Sequence, residues 1–87
     1  MQTQHLAHKH KLSTMLETVH GMQDIRARSE LFKIYKNCSN VYTEMDREMV
    51  NCRRTNKVTP KYTELEAKYV ESITIFEQWT VLAALMF

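Results

Sequence analysis

Apolar residues recur at sevenfold spacing in two long segments of this chain. Leu31, Cys38, Met45 and Cys52 stand seven apart on one side of Thr59-Pro60, and Tyr62, Tyr69, Phe76 and Ala83 on the other. Such spacing, with apolar partners in between, marks helices packed along their length. The pattern predicts an all-α fold. Helices 2 and 3 form an antiparallel hairpin, a shorter N-terminal helix packs against it, and the resulting three-helix bundle self-associates.

The first helix is predicted over residues 13–23, or from as early as Thr3. Leu12, Met15, Leu16, Val19 and Met22 share one face at spacings of three and four. Thr14 and Glu17 have capping-box spacing, and Ser13 and Thr3 are rival caps. With Thr14 as the cap, residues 1–12 become a flexible polar tail on a single domain of residues 1–87. A turn is expected next. Gly21 can end the first helix, and Asp24 or Ser29 can cap the second.

The second helix is expected over residues 26–54, with a main stripe of Leu31, Ile34, Cys38, Val41 and Met45. Tyr35, Tyr42 and Met49 widen that stripe, as suits a helix that touches two neighbours. Arg53 and Arg54 meet the negative end of the helix dipole, and Asn56 can close the helix in the left-handed conformation. Thr59 then caps the third helix, and Pro60 takes its first position, where a missing N–H costs nothing. That helix should run to about residue 85. The expected core is Leu16, Val19, Leu31, Ile34, Cys38, Val41, Met45, Leu65, Tyr69, Ile73 and Phe76.

Composition supports long helices with short connections. The 87 residues include one Gly and one Pro. A net charge of +2, from twelve basic against ten acidic residues, is too balanced to argue for nucleic acid. Cys38 and Cys52 lie fourteen residues apart on one predicted helix, a rise of about 21 Å that forbids an intrachain disulfide. Reduced, buried thiols suggest a cytoplasmic protein. The N-terminal residues show no signal-peptide pattern, and no apolar run is long enough for a transmembrane segment. Contact with a membrane surface would want Lys or Arg beside the last apolar stretch, and none follows Lys68.

That last stretch exceeds what the fold requires. From Ile73 to Phe87 the only charged side chain is Glu77. Phe76, Trp79, Ala83 and Met86 are expected to continue the inner seam, while Ile75, Val81, Leu82, Leu85 and Phe87 point elsewhere. A helix apolar on every side must be covered on every side. The expected partner-binding residues are therefore Ile75, Phe76, Trp79, Leu82, Leu85, Met86 and Phe87, with Phe76 and Trp79 as aromatic anchors. The partner is another protein or a second copy of the chain.

Other chemistry is weaker. Arg53, Arg54, Lys57 and Lys61 could bind an anion near the second connection, but no recognition helix or stacking platform accompanies them. His5, His8 and His10, with His20 beyond, invite a metal reading, but the first three lack a nearby Cys, Asp or Glu in sequence to complete a set and read as solvated side chains of a frayed terminus. Glu44 with Glu48, and Glu64 with Glu66, show no pocket that would separate their acidities. With no nucleophile elbow and no Gly-rich loop, neither catalysis nor a cofactor is expected. The functional expectation is a small intracellular regulator, inhibitor or adaptor of the kind mobile elements and phages encode against one target, such as a host enzyme or the lysis machinery. The alternatives are a nucleic-acid accessory protein and a structural subunit of a helical assembly.

Overall fold

The computed structural model describes residues 2–86. Phe87, one of the expected docking residues, lies outside the described residues. Helices α1 (Gln2–Gly21), α2 (Ile25–Thr55) and α3 (Pro60–Met86) lie side by side in a rod of 48 × 18 × 16 Å. The 31 residues of α2 rise about 46 Å and set the length of the rod. The all-α three-helix architecture and the α2–α3 hairpin agree with the periodicity. Among the described residues no helix is long and apolar enough to cross a membrane.

Helix α1 departs most from expectation. It begins at Gln2, so residues 2–12 are helical rather than a flexible tail, and the early-start reading is nearer. The cause is tertiary. His5, Leu12, Met15 and Val19 are buried and His8 is half-buried, all on one stripe at spacings of three and four. Two histidines thus extend the apolar face by two turns. Leu16 sits at the edge of this face, half-buried, while Met15 takes the inner position assigned to it. Ile34, Val41 and Ile73 also flank the core rather than fill it. Its centre is Leu31, Cys38, Met45, Met49, Cys52 and Tyr69.

Both connections follow local capping chemistry. Asp24 ends the first: its Oδ1 accepts from the N–H groups of Arg26 at 2.9 Å and Ala27 at 3.0 Å. Ser29, the rival cap, lies inside α2. The α1 end leaves the Met22 carbonyl free, and the Arg28 guanidinium donates to it from Nε at 2.9 Å. At the second connection Asn56 adopts φ 58° and ψ 34°. The N–H of Asn56 reaches the Arg53 carbonyl at 3.3 Å, and that of Lys57 reaches the Cys52 carbonyl at 3.1 Å. This pair of bonds is a Schellman closure.

Thr59 then joins α2 to α3 through one hydroxyl. It accepts from the Tyr62 N–H at 3.2 Å, capping α3, and donates to the Glu48 carboxylate at 2.6 Å. Asn51 donates to the same carboxylate at 2.9 Å. The Thr59 hydroxyl, and secondarily the Asn51 amide, hold the Glu48 carboxyl below its usual range. A depressed pKa stabilises the fold above the unfolded value of about 4.5, and that effect is lost as pH falls through the folded value. Thr59→Val should therefore cost about 1–2 kcal/mol near neutral pH, mostly through the lost cap. In urea titrations its deficit should narrow below pH 4.5, where Glu48 gains its proton in both proteins. An unchanged deficit across that range would mean that the Thr59–Glu48 bond contributes nothing.

Candidate functional site

The inner seam of α3 runs through Tyr62, Leu65, Tyr69, Ser72, Phe76 and Ala83. Between the last two it passes through Thr80, which is half-buried, not through Trp79. A helix of 3.6 residues per turn can continue a seam from Phe76 by a step of three or of four. The step of four keeps Thr80 inside, where its hydroxyl donates to the Glu77 carbonyl at 2.6 Å. It also turns Trp79 outward, so Trp79 and Met86 are not seam residues.

The expected docking residues consequently divide. Phe76 is 3% exposed and belongs to the chain's own core, so it is not an anchor for a partner. Trp79 is 37% exposed, and Ile75, Leu82, Leu85 and Met86 are more exposed still. Ile75, Trp79, Leu82 and Met86 follow one another at spacings of four, three and four, which places them on one outer stripe. Val81 and Leu85 widen it.

The stripe borders a trough of about 630 Å³ between the end of α3 and the start of α2. Trp79, Leu82, Ala83 and Met86 wall one side and Ile25 the other, with Arg26 and Glu30 at the rim. Ile25 is exposed although apolar, which extends the apolar surface onto α2. Glu77, the one charge in this part of α3, is held elsewhere: its carboxylate meets Lys11 of α1 at 2.9 Å. The outer stripe therefore carries no charge.

The expected anion-binding residues lie around the second connection. Arg53 lies beside His5, Leu6 and Met49, on the α1 side. Lys61 lies in a separate polar trough with Glu44, Arg47, Glu48 and Asn51, where carboxylates already face it. Arg54 and Lys57 are exposed at the turn.

The histidines show what sequence reasoning missed. His5 is buried, stacked on Tyr42 with ring centroids 4.8 Å apart. With Nε2 protonated, it donates to Asp46 at 2.9 Å, and its Nδ1 accepts from the Tyr62 hydroxyl at 3.1 Å. His8 reaches Glu66 at 2.9 Å and meets Tyr69 edge-on. The Tyr69 hydroxyl donates to the His8 carbonyl at 2.6 Å. Burial pushes the Tyr62 phenol up to about 12 and raises that of Tyr69 too, so both remain donors at neutral pH. These are interhelical fasteners, not solvated side chains. His10 is exposed, as expected, and so is His20. Counting back from Leu12 by four and by seven reaches His8 and His5, the one sequence signal that could have placed them.

The cysteines are chemically quiet. Both are free and buried. Burial pushes the Cys38 thiol up to about 11, against a smaller opposing effect of the Ser72 hydroxyl, so it carries little thiolate near neutrality. Among the described residues no three His, Cys, Asp or Glu side chains gather where they could hold a metal ion. Comparison with protein-family models, curated proteins and solved structures finds no match to this chain.

Proposed function

We propose that this chain is a small protein-binding regulator or adaptor that docks through the outer face of the C-terminal half of α3. The observation that carries the reading is the uncharged stripe Ile75–Trp79–Leu82–Met86, left uncovered beside an apolar trough. Contiguous exposed apolar surface of this kind is uncommon on monomers and marks contact sites. Its shape suits an occupant that is itself a helix with one apolar face, laid along the trough. Trp79 is the natural anchor, since half-exposed aromatic side chains contribute most when a partner completes their burial.

The interior is already satisfied without a partner. Among the described residues no buried side-chain nitrogen or oxygen lacks a hydrogen bond. The unmet requirement is apolar and lies outside, as expected for a binding module that folds first and docks second. The test is Trp79→Ala combined with Leu82→Ala, read by circular dichroism and, at protein concentrations dilute enough for the chain to be monomeric, by binding of an apolar dye such as anilinonaphthalene sulfonate. Helicity should persist while dye binding falls several-fold. Unchanged dye binding would show that this face is not the apolar surface available to a partner.

A further inference from the structure

We infer that the helix occupying this face is α3 of a second copy of the chain, paired antiparallel and tail to tail. The inference rests on the reading of this face as a docking surface. It is motivated by a symmetry in the positions themselves. Under a two-fold axis between Trp79 and Leu82, each Trp79 lies opposite the mate's Leu82 and each Ile75 opposite the mate's Met86. Spacings of four, three and four read the same in both directions, so one stripe complements itself. No charge on the stripe opposes this pairing, because Glu77 is turned to Lys11.

The trough rim obeys the same axis, and this observation is independent of the apolar stripe. Asn37 of α2 meets Ser72 of α3 at 3.3 Å. Ala27 and Ala83 line one small cavity. These two contacts set the register of the hairpin, and they put the midpoint between Trp79 and Leu82 level with about Ser29. Arg26 and Glu30, both on the rim, straddle that level to within about one residue. An axis that matches the stripe therefore brings Arg26 of each copy toward Glu30 of the other, making two reciprocal ion pairs. Glu30 already accepts from Lys33 at 3.4 Å, and a carboxylate has room for both donors. Apolar centre and polar rim thus agree on one arrangement, the anatomy of a specific interface.

The experiment is sedimentation equilibrium of the whole chain and of three variants. The wild type should dimerise, and Trp79→Ala should weaken the dimer at least about 30-fold, the effect of removing an interface anchor, with helicity retained. Arg26→Glu alone and Glu30→Arg alone should each weaken it about 10-fold by setting like charges across the axis. An equimolar mixture of these two variants should restore pairing, because the heterodimer regains both ion pairs. A pair formed within one helix cannot produce that rescue. Small-angle scattering should give a longest dimension of about 80 Å, since only the last turns of each rod overlap. A dimer that ignores Trp79→Ala, or a mixture without rescue, overturns the arrangement. A wild-type monomer that binds anilinonaphthalene sulfonate in a Trp79-dependent way overturns self-pairing and leaves the docking face standing. A monomer that binds no dye overturns both.

Discussion

Phe76→Ala is expected to cost the fold about 3–5 kcal/mol, the usual range for emptying an aromatic site in a core. Phe76 is 3% exposed and shares a core with Leu31, Cys38 and Tyr69. The void would sit between two long helices held apart by their other side chains, so it cannot collapse fully. A domain of this size has a total stability on the order of 4–13 kcal/mol. The variant should therefore melt far below the wild type and be partly unfolded at 37 °C. Trp79→Ala, three residues on, should change the stability of the monomer, measured at high dilution, by less than about 1 kcal/mol. Urea denaturation followed by circular dichroism separates the two. Equal losses at both positions would mean that Trp79 packs inward and that the outer stripe is misassigned.

His5→Ala should cost about 2–3 kcal/mol, far more than a surface histidine warrants. Removing the ring takes away the stacking surface of Tyr42 and the acceptor of the Tyr62 hydroxyl. It also takes a partner from Asp46. Tyr62 is buried, so its hydroxyl would lose a bond with little water to replace it. Tyr62→Phe combined with His5→Ala should consequently cost less than the sum of the two single changes, because the stranded hydroxyl is gone. His10→Ala, on the exposed side of the same helix, should stay within about 0.5 kcal/mol. The check is a denaturation cycle over the four proteins. Additive costs, or equal costs for His5 and His10, would show that the first turns of α1 do not dock as described.

The parts of this fold that were legible in sequence are those decided by neighbouring residues. Asp24, Asn56 and Thr59-Pro60 close or open helices through bonds to N–H and carbonyl groups a few positions away, and the structure uses all of them. The sevenfold positions of α2 and α3 were equally legible, because burial follows from periodicity. What sequence could not show depends on distant partners. His5 reads as polar until Tyr42, Asp46 and Tyr62 are seen to surround it. Glu48 reads as a surface acid until Thr59, eleven residues on, is seen to donate to it. Trp79 and Thr80 compete for one seam position, and periodicity alone allows either. The apolar excess of α3 was visible in sequence, but its division into Phe76 inside and Trp79 outside required the packed helix.

The four fasteners between α1 and α3 have a kinetic consequence. His5–Tyr62, His8–Glu66, Lys11–Glu77 and Tyr69 to the His8 carbonyl are all polar, and each spans more than fifty residues of chain. The hairpin of α2 and α3 has a short, doubly capped connection and apolar contacts that begin close to it. Closing a small loop loses little chain entropy, whereas closing a large one for a polar contact loses more and gains less. The hairpin is thus the part able to assemble early, zipping away from Thr59. The contacts of α1 with α3 should accordingly form last and open first, which faster amide exchange in the first turns of α1 than at the centre of α2 would show.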